Sequence, residues 1–495
     1  MNLGPKWVPM KWPCGPLEWA RRNRLKSVGA ELKETLEAWA QPAALELLQG
    51  TPVNCLVVEW ADGGAEDSAQ QQALKPLLEA GRRLGINFVG KVAAGEGMAA
   101  VASARAAGLS AVMLAEPSGH CFDLPVILQF PRGKVAWESA TRIFSATDNE
   151  WPGLKLDTMK GDTAIAGPTG VPWVNSNAWF SLLSDELAPG RTVWLDFDPP
   201  DASNVAHPAN YALAVADSQA YGSRWIISLD DKLRTALLKG NPQATSVWSK
   251  TCETVTFFES HQEWEGFQSQ GVLAVISDFL GDNAFLGGEV LNLLNRRQFQ
   301  FQVMERSGAL STPTPGLKAI LWLDKDAPSA DQLAKLLAFV RQGGVVIAAA
   351  YWGPSGVRPT RKDPSLDYEM YNIGRGQIAV AEEAFQDPYQ VAVDAHLLAS
   401  RRNDLVRLYN PATTNCHSSL DPVHQRRLVQ ILNYSSSAAS FVTLWVNTRT
   451  RSARLWSPGA RDPLSIPGLP ATPGTEFGLP PILVNCALEI EGLNL

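Results

Sequence analysis

The sequence predicts an α/β protein that finishes in an all-β part, and three patterns predict it. Eight short apolar runs alternate with amphipathic stretches across residues 1–250. The alternation returns on a smaller scale across 251–387, and from 388 to 495 apolar runs follow one another with only turn residues between. Strands alternating with helices build parallel sheets, whereas strands joined by turns build antiparallel ones. At 495 residues the chain is also too long for one ordinary core, so three domains with those boundaries are expected.

The candidate strands of the first part are 7–10, 55–60, 87–92, 111–116, 126–130, then 164–166 or 172–174, then 193–197 and 225–229. Residues 70–84 place Ala73, Leu77, Ala80 and Leu84 on one helical face, with Gly85 as a stop. Stretches 98–107, 210–221 and 231–238 read the same way. Eight such strands suit a TIM barrel, irregular because the connections over 117–162 hold no clear helix. In the second part GVLAVISDF, FQFQVME, LKAILWLD and GGVVIAAAYW read as strands, with helices over 284–297 and 330–341. That is a small doubly wound, flavodoxin-like sheet. In the third, LVRLYN, RLVQILNYS, SFVTLWVN and SARLWS make a small antiparallel β domain.

Composition excludes several classes. The formal net charge is −7, and a nucleic-acid binder would need a basic face. No apolar run approaches the roughly 18–20 residues of a membrane-spanning helix, so neither nucleic acid nor membrane is an expected partner. The six cysteines are scattered without a CxxC pair, which excludes a disulfide-stapled fold and a zinc ribbon. Phosphate-loop, dinucleotide, HExxH and GxSxG patterns are absent, and no cofactor is expected. Of the histidines only His417 and His424 stand near other ligand types, Cys416 and Asp421, and no metal is expected there. The N-terminus lacks a charged region leading into an apolar segment, which suits a cytoplasmic protein, or an exported one whose leader has been removed.

Tryptophan is the unusual number, with 17 in the chain and 12 of them in the first 250 residues. Flat apolar faces edged with a polar group suit packing and suit sugar rings. Barrel active sites lie at the C-terminal ends of the strands. The second strand ends in Glu59-Trp60, the fourth in Glu116, and the seventh in Trp194-Leu195-Asp196-Phe197-Asp198. A period of two sets Trp194, Asp196 and Asp198 on one face. Asp198 could equally cap the turn before Pro199-Pro200, with Asp196 in a structural network. In the run GPTGVPWVNSNAW, Trp173, Asn175 and Asn177 share one side if extended, and amides both donate to and accept from sugar hydroxyls. The glycines and prolines could instead only shape a loop, with Asn177 capping a helix that starts near Ala178. Glu150 and Trp151 could join from the DNEWPG loop.

Three segments carry a family resemblance: YALAVADSQAYGSRWIISLDDKLRTALL, then FLGGEVLNLLNRRQFQFQVM with its later partner LAFVRQGGVVIAA, then RRLVQILNYSS. With the order of the three parts, they resemble the glycoside hydrolase family forty-two β-galactosidases and their barrel relatives. The resemblance implies a glutamine-amidotransferase-like second domain that has lost its chemistry and serves assembly, hence a homo-oligomer, trimer or dimer. The strand VVIAAAYWG indeed carries no cysteine. The resemblance also implies a proton-donating glutamate, preceded by asparagine, at the end of strand four, and a nucleophilic glutamate at the end of strand seven. Glu116 holds the first place, with Ala115 where the asparagine belongs. Asp196 and Asp198 stand at the second, where there is no glutamate.

The leading expectation is a glycoside hydrolase with Glu116 as acid and Asp196 as second carboxylate. Its carbohydrate would be bound by Glu59, Trp60, Trp151, Trp173, Asn175, Asn177, Trp194 and Asp198. Glu116 ends an apolar run, so desolvation should favour its neutral form, and Asp196 and Asp198 should resist joint ionisation if they approach closely. The alternative is a catalytically inactive carbohydrate-binding or assembly protein on the same fold.

Overall fold

The computed structural model describes residues 7–25, 29–93, 97–115, 123–139, 141–155, 157–159, 163–165, 173–200, 209–308, 316–350, 359–363, 367–421 and 423–491. They gather into two compact units, Met1–Gly153 with Ala188–Gln262, and Leu154–Leu187 with Glu263–Leu495.

The first unit is built on an eight-stranded sheet in sequence order. Its strands are β1 (Pro9–Lys11), β2 (Cys55–Ala61), β3 (Asn87–Val92), β4 (Ala111–Leu114), β5 (Val126–Pro131), β6 (Ile143–Thr147), β7 (Thr192–Leu195) and β8 (Arg224–Trp225). Every pairing is parallel. A bridge between Met10 and Ile227, with Lys11 N donating to Ile227 O at 2.8 Å, brings the last strand back onto the first. The result is a near-closed parallel barrel.

One strand differs from expectation. The sixth is Ile143–Thr147, not 164–166 or 172–174. Thr163–Ile165 pairs antiparallel with Asp157–Met159, and Trp173–Asn175 belongs to a separate two-stranded sheet. The run IFSAT mixes two large residues with small ones, and small residues suffice where a barrel wall is crowded: Ser145 and Ala146 are fully buried. Among the described residues between β5 and β6 lie only short 3-10 turns, Arg132–Lys134 and Trp137–Ser139, so the barrel is irregular there.

The barrel interior has an apolar floor of Trp7, Cys55, Val57, Val89, Ala111, Met113, Ile127, Ile143, Trp194 and Ile226. Around it, helix Asp67–Arg83 turns Leu74, Leu77 and Leu78 inward, and helix Ala209–Gln219 is buried along most of its length.

The second unit contains a seven-stranded sheet. Leu273–Ser277 lies between Phe301–Glu305 and Ala319–Trp322, followed outward by Val345–Ala348 and Gly376–Ala381, all parallel. Tyr368–Ile373 and Arg361–Asp363 complete it antiparallel. Helix Ala330–Arg341 opens on a capping box at Ser329 and packs Leu336 and Val340 into this layer's core. Helix Ala178–Leu187, where a regular barrel would place its sixth helix, belongs to this unit instead, its Trp179 ring seated on Gly288 of helix Asp282–Arg296. Beyond residue 405 the chain forms a four-stranded antiparallel sheet and five strands of a six-stranded one, whose sixth strand is Gln268–Ser269, and the two sheets share one apolar core, including Val429, Ile431, Leu444, Phe477 and Leu488. Among the described residues no helix is long and apolar enough to cross a membrane.

Candidate active site in the barrel mouth

Continuing each barrel strand by two residues builds the mouth. Side chains alternate along a strand, so the residue two places past a floor residue points into the same interior. Val57 is followed in this way by Glu59, Val89 by Lys91, Ile127 by Gln129, Trp194 by Asp196 and Ile226 by Ser228, and Trp7 leads through Pro9 to Lys11. A polar ring thus caps the apolar floor. It opens into a cavity of about 520 Å³ lined by Lys11, Glu59, Lys91, Asp196, Asp198 and Ser228, with Arg21 and Arg22 from the helix after β1.

Lys11 lies between the two aspartates, its Nζ touching Asp196 Oδ1 and standing 2.8 Å from Asp198 Oδ1. Gln129 Nε2 donates to Asp196 Oδ2 at 2.8 Å, and Ser228 Oγ donates to Asp198 Oδ1 at 2.8 Å. The repulsion expected between the carboxylates is therefore met by a shared cation. Burial opposes the charge on Asp198, but Lys11 and the Ser228 hydroxyl outweigh it and hold the carboxyl down at about 2. Burial likewise opposes the charge on Lys11, and the two carboxylates raise its pKa in return. Asp196 is 5% exposed and Asp198 71%, so only Asp198 presents itself to a ligand.

Glu59 is the opposite case. Burial pushes its carboxyl up, against the pull of Lys91 and Arg21, and the nearby Glu18 adds to the rise. The Arg21 contact is 3.9 Å, too long for a hydrogen bond. Glu18 is fully buried and takes Arg21 at 2.8 Å and Arg22 at 2.5 Å. Gln70, also fully buried, fixes the strand ends: its Nε2 donates to the carbonyls of Glu59 and Cys14, and its Oε1 accepts from Leu17 N. Gly15 turns the chain beside it at φ 82°, where a Cβ would lie 2.3 Å from Gln70 Oε1. Among the described residues the Lys91 ammonium has no hydrogen bond or ion pair.

The structure brings Glu59, Asp196 and Asp198 together. Trp60 and Trp194 need correction as sugar platforms, because neither has an exposed face. Trp194 does share its face with Asp196, but it lies in the floor, 6.3 Å from the Trp7 ring. Trp60 points outward, donating its indole N–H to Ser103 Oγ on helix Gly97–Ala106 at 2.9 Å. Trp12 and Trp39 are also fully buried, their rings 4.1 Å apart, so much of the tryptophan excess is packing. Trp151 stands edge-on to Tyr211 and Trp225 and does not line the cavity, and Glu150 pairs with Arg132 at 3.6 Å. Asn175 and Asn177 belong to the second unit, and Asn177 is fully buried just before helix Ala178–Leu187. Glu116 and the side chain of Trp173 lie outside the described residues. Cys416 and His417, consecutive in strand Thr414–Asp421, face opposite sides, and Asp421 pairs with His424 at 2.6 Å and Arg426 at 3.0 Å.

Sequence reasoning missed Lys11, Lys91, Gln129 and Ser228. The signal was present for Lys91, Gln129 and Ser228, since each stands two places past an apolar floor residue, but not for Lys11, which is four places past Trp7.

Fold and site together define a parallel α/β-barrel protein with a charged pocket at the C-terminal ends of its strands. No family model matches the chain, and no curated protein matches it. Among solved structures it is similar to α-L-fucosidase isoenzyme 2 from Paenibacillus thiaminolyticus, with a TM-score of 0.61 and 11% identity over 99% of this chain and 100% of that one. It also aligns with a β-galactosidase from Bacillus circulans sp. alkalophilus, with a TM-score of 0.45 and 9% identity over 98% of this chain and 89% of that one. At such identities the first likeness is one of fold, and it singles out neither family forty-two nor an amidotransferase-like second domain.

Proposed function

We propose that the chain is a carbohydrate-acting hydrolase of the glycoside-hydrolase kind, with its site in the barrel mouth. One observation carries this reading: a single cavity holds Glu59, whose carboxyl burial pushes toward the neutral form, and Asp198, which Lys11 holds ionised. Glycosidic cleavage needs such a pair. The acid protonates the departing oxygen, while the carboxylate attacks the anomeric carbon or takes a proton from the attacking water. In this assignment Asp198 is the ionised partner, and Asp196 with Gln129 positions Lys11. Glu59 and Glu116 are the two candidates for proton donor. The likeness to the α-L-fucosidase makes α-L-fucosides the first substrates to try.

The remaining parts are read as support. The five parallel strands of the second unit, in the order 2-1-3-4-5, favour a flavodoxin-like, amidotransferase-like layer. That reading keeps the division 1–250, 251–387 and 388–495 and a homo-oligomer, trimer or dimer, assembled through the middle part. A specific observation also favours the second reading, an inactive carbohydrate-binding or assembly protein: most charges of the mouth are already paired with one another, as Lys11 is with both aspartates.

A panel of aryl glycosides, led by the α-L-fucoside and the β-D-galactoside, tests both readings. Asp198→Asn and one of Glu59→Gln or Glu116→Gln are expected to lower kcat by about 10²–10⁴ while binding survives. Sugar binding without any hydrolysis would establish the second reading. Full activity in both Asp198→Asn and Glu59→Gln would refute the carboxylate assignment.

A further inference from the structure

The second unit holds a cavity of about 400 Å³ that the proposed hydrolase site does not use. Four arginines line it, Arg296, Arg297, Arg401 and Arg407, against one carboxylate, Asp404. This concentration of positive charge sits in a chain whose net charge is −7. Asp404 is already engaged, taking Arg407 at 2.7 Å and His396 Nε2 at 3.1 Å. Arg297 donates to the Tyr389 hydroxyl, yet its Nε is buried with no hydrogen-bond partner. Among the described residues the Arg401 guanidinium makes no ion pair or hydrogen bond. Glu289 favours the charge on Arg296 and Asp394 that on Arg297, but neither carboxylate lines the cavity.

Two further groups point to a ligand. Asn415, 2% exposed, lines the cavity with a buried Nδ2 that has no partner. His396, 6% exposed, is fixed by Asp404 on one nitrogen and by stacking on Phe299 at 4.3 Å, and its buried Nδ1 is also unpartnered. A buried polar group without a partner carries the full cost of its desolvation. Two such groups around one void, beside the Arg297 and Arg401 guanidinium groups, are what an anion would satisfy. Burial and then the charge of Arg401 hold Arg297 below the ordinary guanidinium range despite its Tyr389 contact, a strain an anion would relieve. Leu293 and Leu408 complete the lining with apolar surface.

We infer that this cavity is a binding site for a small organic anion. The oxyanion, carboxylate or phosphate, meets Arg297, Arg401 and the Asn415 amide, and the apolar body rests on Leu293 and Leu408. Guanidinium forks suit both oxyanions, and charge-assisted bonds are the strong ones. The inference stands independently of any activity in the barrel.

Calorimetric titration of the full chain with benzoate, phenyl phosphate and benzyl alcohol tests it. At least one of the two anions is expected to bind with a stoichiometry of one, and benzyl alcohol about tenfold more weakly or not at all. Binding of benzoate alone identifies a carboxylate site, and of phenyl phosphate alone a phosphate site. Arg297→Gln is expected to weaken the bound anion by about tenfold or more, and Arg401→Gln, at an exposed position that folding does not depend on, by severalfold. Failure of both anions to bind, equal binding of the alcohol, or unchanged affinity in both variants would overturn the inference.

Discussion

Replacing Lys11 by Met removes the cation shared by Asp196 and Asp198 while keeping a side chain of similar length. Breaking a buried ion pair by deleting one partner costs about 3–5 kcal/mol, because the other charge is left uncompensated. Two features place this case toward the lower end: Lys11 is 20% exposed, and Gln129 still donates to Asp196. A cost of about 3 kcal/mol lowers the melting temperature of a unit of this size by roughly 6–12 °C. The loss has a pH signature. Asp198 is held at about 2, below the ~3.9 of an unfolded aspartate. Its contribution is therefore full above about pH 4 and is lost as pH falls through about 2. In Lys11→Met that contribution is already gone, so the deficit against wild type narrows as pH falls and the wild type loses it too. Thermal unfolding followed by circular dichroism at pH 7 and pH 3 measures both effects, and Lys11→Met combined with Asp196→Asn should recover most of the stability. A Lys11→Met protein as stable as wild type at pH 7, or a deficit of the same size at pH 3, would refute the reasoning.

Trp194→Ala should destabilise by about 3–5 kcal/mol, as expected for a large ring lost from the barrel floor; an unchanged melting temperature with weakened sugar binding would return Trp194 to the mouth. His417 is buried, and burial lowers its pKa to about 4. Against an unfolded value near ~6.5, the unfolded chain takes up the proton first, so stability is full above about pH 6.5 and is lost as pH falls through about 4. His417→Gln should flatten that part of the stability-versus-pH curve, and a slope identical to wild type would count against a neutral buried imidazole. Self-association is expected to use apolar surface of the second unit, where Phe285 is 73% and Leu280 59% exposed. Phe285→Glu should then shift sedimentation toward a 53.7 kDa monomer, and a wild type that is already monomeric at micromolar concentration removes the idea.

The barrel was legible wherever its strands were continuous apolar runs, as in CLVVEW and AVML, because a strand buried on both faces has that composition. It was not legible at Ile143–Thr147, where two of the four buried positions are the small residues Ser145 and Ala146 and hydrophobicity is a poor guide to burial. The described residues of the two stretches preferred in its place are extended as expected, but they pair outside the barrel. Pairing is a relation between distant residues that local pattern does not contain. The site divides on the same line. Glu59, Asp196 and Asp198 could be picked out because a carboxylate closing an apolar run is conspicuous. Lys11 could not, since a lysine between Met10 and Trp12 reads as surface until closure of the barrel carries it to residues 196 and 198. Trp194 shows what alternation leaves out. Its face was assigned correctly, yet a step of two residues is about 6.6 Å along a strand, enough to separate the apolar floor from the polar ring. Face follows from parity, whereas depth follows from where the interior residues change from apolar to polar, and in β2, β3, β5, β7 and β8 that change falls at one level. The level is set by closure of the whole barrel, which makes Lys11 and Asp196 as much a consequence of the fold as Trp194 beneath them.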